Sequence, residues 1–294
     1  MHDTGCTRRT LIGGSLGIFL GSAASAVGDL RSIEQREQLR IGLFAQTMDG
    51  RTIWSHRADE RFLLCSTFKI FLVASVLRMA EREPDLLGRQ IPLVPARLLT
   101  NSPVTGQKPF AVSLSVEQLC AAAVEYSDNS AANYLLEIIG GPAAVTHTFR
   151  MLGDNVSRLD RIEPDLNRPD SSMRDTTSPR AMARSLARLT QSPMLSAAGH
   201  ARLLGWMTNE HNGVRRIRAG MPIGWQVADK PGTNDSGSVN DVALLQSPDG
   251  RRFVLAIYAR SSVNDIAKVE RVIAEVAGSF ARQMGPSASR VPTT

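Results

Sequence analysis

The chain is 294 residues long, 43% hydrophobic, 21% charged and 5% aromatic, with a formal net charge of +6. That length supports a large core in one or two domains, and the balance is that of an ordinary soluble globular protein. The positive charge does not mark a nucleic-acid binder: arginine is scattered, aromatics are few and no nucleic-acid motif is present.

Thr7-Arg8-Arg9-Thr10 leads into the apolar run Leu11–Leu20 and then Ala24-Ser25-Ala26. A charged segment, a short apolar stretch and small residues in this order predict a signal peptide over residues 1–26. Its paired arginines suggest the twin-arginine route, hence export to the periplasm or beyond. An uncleaved anchor is the alternative, but the apolar run is short for a span, so no stable membrane association is expected after processing. Removal of this segment takes away Asp3, Arg8 and Arg9 and lowers the net charge by one. The remaining charge favours anionic substrates by a small, salt-screened amount.

Two strand patterns follow, Arg40–Thr47 and Thr52–His56, with Asp49-Gly50 as the hairpin signal between them. From residue 66 to about 208 the pattern is mostly helical, and Ser178-Pro179 is a clear helix start. Strand patterns return at Gly224–Asp229, Val242–Gln246 and Phe253–Tyr258. A final amphipathic helix runs from about Asn264 to Met284. Strands at both ends with helices between predict a mixed α/β fold. An antiparallel sheet is built from both termini (27–62 plus 209–290) and flanked by helices, with an all-helical insertion domain at 63–208. Cys65 and Cys120 allow at most one bridge and are expected as buried small hydrophobes. The five histidines show no paired ligand spacing, so no metal site or cofactor is expected.

Four polar elements stand out. Ser66-Thr67-Phe68-Lys69 opens a long apolar segment, and on a helix it sets an amine one turn from a hydroxyl, the minimum for an activated serine. Tyr126-Ser127-Asp128-Asn129 offers a second hydroxyl, a carboxylate and an amide. Glu163-Pro164-Asp165-Leu166-Asn167 is a polar loop carrying a glutamate. Asp229-Lys230-Pro231-Gly232-Thr233 closes a strand with a cation and a hydroxyl. Singly, each has a plain reading as a helix cap, a solvated acid or a turn cation. Together and in this order they place a nucleophile at the junction of sheet and helices, where clefts form.

These motifs resemble the S-x-x-K, S-D-N and K-T-G of class A β-lactamases and penicillin-binding proteins. Glu163-Pro164-Asp165-Leu166-Asn167 is similar to the E-P-x-L-N of the class A enzymes, which the transpeptidases lack, and the resemblance covers essentially the whole mature region. It implies hydrolysis of penicillin- and cephalosporin-type antibiotics through a serine acyl-enzyme, conferring resistance, by a monomer whose partners are these small substrates. Ser66 would attack the lactam carbonyl, with the backbone N–H groups of Ser66 and Thr233 as oxyanion hole, each donor worth about 3–4 kcal/mol. Lys69, Glu163 or both would take the serine proton. Ser127 would relay a proton to the lactam nitrogen, held by Lys230, while Glu163 and Asn167 would activate the hydrolytic water. Asn129 would bond the substrate's side-chain amide and Lys69. Asp128, and a pair between Arg161 and Asp175, would be structural. A D-Ala-D-Ala peptidase or transpeptidase and a stalled penicillin-binding sensor are the alternatives.

Three positions depart from the pattern. Pro231 replaces a threonine or serine and removes a hydroxyl for the substrate carboxylate, so weaker capture with preserved turnover is expected. Thr233, Ser127 and an arginine would compensate, Arg216 being the candidate. Asn101 stands where many members carry an aromatic gate, so a more open rim is expected. Asn234 stands where some carbapenem-hydrolysing members have a cysteine, so a bridge to Cys65 is not expected.

Overall fold

The structure is a computed structural model and describes residues 30–107 and 112–285. The predicted signal segment at 1–26 lies outside the described residues. A helix at 30–37 (α1) precedes the strands Leu39–Thr47 (β1) and Thr52–His56 (β2), followed by the two-residue strand Phe62–Leu63 (β3). A 3-10 turn, Cys65–Phe68, then runs into α2, Lys69–Ala80. Short strands Gln90–Pro92 (β4) and Ser113–Ser115 (β5) precede α3 (Val116–Glu125), α4 (Asn129–Ile138) and α5 (Pro142–Met151). After strand β6 (Thr176–Thr177) come α6 (Pro179–Leu189), α7 (Ala197–Thr208) and the single turn α8 (Ile217–Gly220). The chain ends in strands β7 (Gln226–Thr233), β8 (Ser238–Gln246) and β9 (Arg252–Ser261) and the long helix α9 (Ile266–Met284).

The main sheet is antiparallel, ordered β2-β1-β9-β8-β7, so strands from the two ends of the chain meet at the β1–β9 pair. Successive side chains of a strand face opposite sides. Leu43, Ala45, Leu255 and Ile257 enter one core with Val272, Ile273 and Phe280 of α9. Their neighbours Phe44, Val254, Ala256 and Tyr258 enter another with α2 to α7. Helix α2 is buried on every side from Lys69 to Leu77, which explains its near-continuous apolar sequence.

Two expectations need correction. The segment between the sheet halves is not all helical: it contains the β4–β5 ladder, and β6 pairs with β3. The strand expected to end at Asp229 continues through Lys230-Pro231-Gly232 to Thr233, paired with Ser238–Gln246. Proline stops most strands because it cannot donate, but among the described residues β7 is an edge strand with β8 as its ladder partner, and an edge tolerates it. The helix start at Ser178 is found as expected, its Oγ accepting from Ala181 N at 3.3 Å. Cys65 and Cys120 are free and buried.

Candidate active site

Ser66 sits in the 3-10 turn, three residues before α2 begins, rather than within the helix itself. The entry is sharp: Cys65 has φ +44°, a region costly for residues other than glycine. The turn is fixed from below. Thr67 Oγ1 donates to Leu64 O at 2.7 Å and meets the hydroxyl of Tyr258, buried on β9, at 2.9 Å.

Lys69, the first residue of α2, is completely buried. Its Nζ donates to Ser127 O and to Asn129 Oδ1, both at 2.7 Å, and stands 3.3 Å from Glu163 Oε1. Burial pushes its pKa below the usual lysine range, against the opposing pull of the Glu163 charge. Glu163 is itself 1% exposed, and its Oε2 accepts from Asn167 Nδ2 at 2.6 Å. The loop that carries it is held at both ends. Arg161 Nε donates to Asp175 Oδ2 at 2.6 Å, as expected, and Asp175 also accepts from the backbone of Asp160 and Arg161. Asn133 clamps Glu163 itself, accepting from its N–H at 3.0 Å and donating to its carbonyl at 2.9 Å.

Ser127 lies in a turn with φ +56° between α3 and α4. Its neighbour Asp128 caps α4 through Ala131 N and accepts from Val104 N and from the N–H and hydroxyl of Thr105. That burial of a carboxylate among donors is a scaffold role. Asn129 N donates to Asn101 O at 3.1 Å, tying the Asn101 loop to α4.

Across the cleft, Lys230 is fully buried, 3.3 Å from Pro231 O and 3.7 Å from Glu210 Oε1. Burial lowers its pKa to about 8; Glu210 opposes the shift and the charge of Lys69 adds to it. Arg216 is 4% exposed and wholly engaged. It reaches Glu270 Oε1 through Nε and Nη2, Gly232 O and Asn240 O through Nη1, and Thr233 Oγ1 through Nη2 at 2.6 Å. It therefore orients Thr233 rather than offering a free fork.

A cavity of about 1030 Å³ is lined by Ser66, Asn101, Ser127, Asn129, Asn167 and Thr233, among others including Arg216. Lys69, Glu163 and Lys230 are buried behind this lining: Lys69 bonds Ser127 and Asn129 and faces Glu163, Glu163 bonds Asn167, and Lys230 bonds Pro231. Gly232 brings β7 against the serine turn: a Cβ there would stand 2.9 Å from Cys65 Cβ and 3.0 Å from Ser66 N. Asn234 Nδ2 donates to Asn167 O at 2.8 Å, linking β7 to the glutamate loop.

A serine, a buried lysine–glutamate pair, a second serine and a strand-borne lysine thus meet around one cavity. The family model described as "Beta-lactamase enzyme family" matches residues 25–281. The chain belongs to that family. It is 40% identical over 258 residues to β-lactamase L2 of Stenotrophomonas maltophilia, covering 87% of this chain and 84% of that one. A β-lactamase structure from Desulfarculus baarsii superposes with a TM-score of 0.85 at 45% identity, covering 90% and 99% of the two chains. A class A β-lactamase from Mycobacterium abscessus gives 0.83 at 37%, covering 88% and 98%.

Sequence reasoning missed Asn133, Glu210 and Glu270. Asn133 carries a signal, since it lies four residues after Asn129 and so on the same face of α4. Glu210 and Glu270 carry none; only the tertiary fold brings them to Lys230 and Arg216. Gly232→Ala is expected to force β7 off the Ser66 turn and lower kcat for a β-lactam by about 10- to 100-fold, the scale of a small misplacement at a reacting centre. Steady-state rates check this, and an unchanged kcat would show that the close approach does not matter.

Proposed function

We propose that the protein hydrolyses the β-lactam amide of penicillins and cephalosporins through an acyl-enzyme on Ser66, and so confers resistance. The observation that carries this reading is Glu163: a buried carboxylate, bonded to Asn167 and paired with Lys69 beside the nucleophile turn, suited to activating water. As Ser66 Oγ attacks the carbonyl carbon, its proton passes to the Lys69–Glu163 pair. Collapse of the tetrahedral intermediate breaks the C–N bond; Ser127 gives its proton to the nitrogen, and the proton held by the Lys69–Glu163 pair passes to Ser127 in its place. Water held by Glu163 and Asn167 then loses a proton to Glu163 and attacks the ester, and Ser66 recovers its proton on leaving. Backbone N–H groups of Ser66 and Thr233 would hold the oxyanion.

Lys230 would anchor the substrate carboxylate. Pro231 brings no hydroxyl, but Arg216 already donates to Thr233 Oγ1, which leaves the Thr233 hydrogen free to bond the carboxylate. Asn129 would receive the acylamido side chain, and Asn101 leaves the rim above it without an aromatic gate. Export through residues 1–26 would place the enzyme where it meets these antibiotics, and the described helices include none long and apolar enough to cross a membrane.

Incubation with a chromogenic cephalosporin tests the reading: sustained turnover supports it. A single stoichiometric burst would instead indicate a penicillin-binding sensor, and release of D-Ala from a cell-wall peptide a peptidase. The lysine anchor has its own signature. Because burial lowers its pKa to about 8, Lys230 in the free enzyme is charged below that pH and neutral above it. For carboxylate-bearing substrates kcat/KM is expected to fall as pH rises through about 8; a profile flat to pH 10 would contradict the anchoring role.

A further inference from the structure

The rim of the cleft lacks an aromatic at Asn101 but has one at Tyr126. Tyr126 is 38% exposed and lines the cavity, and its ring stacks on His211 with centroids 4.6 Å apart and 29° between planes. The stack is built on fixed backbone. Tyr126 is the residue before Ser127, and His211 N donates to Glu125 O at 2.9 Å, joining the loop after α7 to the end of α3. His211 lies between Glu210, paired with Lys230, and Asn212, which also lines the cavity and donates to Glu210. So one edge of the pair adjoins the group assigned to the lactam nitrogen, and the other adjoins the cation assigned to the carboxylate.

We propose that the Tyr126–His211 stack is a substrate subsite for a planar aromatic or heteroaromatic substituent on the ring carbon next to the carboxylate-bearing carbon. The proposal rests on the hydrolase reading above. In a bicyclic β-lactam the nitrogen bears the carboxylate carbon, and the next ring atom carries the variable substituent. With the nitrogen at Ser127 and the carboxylate at Lys230 and Thr233, that substituent points away from Asn129, Asn167 and Asn234, the acylamido side, and toward Tyr126 and Asn212. A ring already fixed by His211 loses little freedom when a second ring packs on it, so its contact is preorganised. Offset stacking adds to the area buried.

The test compares two cephalosporins with the same acylamido side chain, one carrying a heteroaryl group at this ring carbon and the other a methyl group. Tyr126→Ala is expected to reduce the preference for the heteroaryl compound, as a ratio of kcat/KM values, by about 3- to 10-fold, the range of one aromatic contact. The loss is expected mainly in KM. Tyr126→Phe retains the preference, because the ring face and not the hydroxyl makes the contact. His211→Ala gives a smaller loss in the same direction while leaving the Ser127 turn intact. A Tyr126→Ala ratio equal to that of the unsubstituted protein, or an equal fall for both compounds, overturns the subsite. Absence of turnover of either compound by the unsubstituted protein overturns the hydrolase reading itself and the subsite with it.

Discussion

A lysine and a glutamate sit 3.3 Å apart with both side chains closed to solvent, and the rest of the site is arranged to make that tolerable. Removing two charges from water costs several kcal/mol per ion, and their mutual attraction repays this only when their remaining donors and acceptors are bonded. Lys69 meets that condition through Ser127 O and Asn129 Oδ1; Glu163 meets it at Oε2 through Asn167, while its Oε1 has only the facing Lys69 charge. Each of these partners is also a proposed site residue. The groups that stabilise the pair are thus those that would receive substrate, and the chemistry is concentrated where the electrostatic demand is greatest.

Holding those partners requires three separate segments to meet at the head of α2, and each is fixed by a buried polar anchor. Asp128 gathers the Val104–Thr105 loop and the start of α4, Asp175 closes the glutamate loop on Arg161, and Tyr258 reaches from the central sheet to Thr67 beneath the nucleophile. On the far side the anchors are charged. Glu270 on α9 holds Arg216 against the edge strand β7, and Glu210 after α7 pairs with Lys230 of that strand. The Cys65 and Ser127 backbones, both at positive φ, show the local cost of bringing the side chains to one point.

Much of this is legible in the sequence because periodicity and motif spacing are local properties. The near-continuous apolar runs of β1, β9 and α2 follow directly from their burial on both faces or on every side. The four polar elements carry Ser66, Ser127, Glu163 and Lys230, the proposed nucleophile, relay, water base and anchor, and the fold brings these elements to one cavity. Non-local effects are not legible. The short ladders β3–β6 and β4–β5 contain two or three residues each, too few to show a period. Arg216 reads as a free cation, whereas its five N–H groups are already committed, which makes it a support for Thr233. The aromatic wall at Tyr126 depends on His211, some 85 positions later, and no local pattern joins them.

The central claim is that Glu163 serves the release of an acyl group carried by Ser66. Its most direct measurement is intact-protein and peptide mass spectrometry of Glu163→Ala after brief exposure to a penicillin. The account predicts a persistent adduct of one whole β-lactam, mapped to the peptide containing Ser66, while the unsubstituted protein returns to its free mass within the same interval. Rapid recovery of free Glu163→Ala protein, or an adduct mapped to a residue other than Ser66, would contradict it.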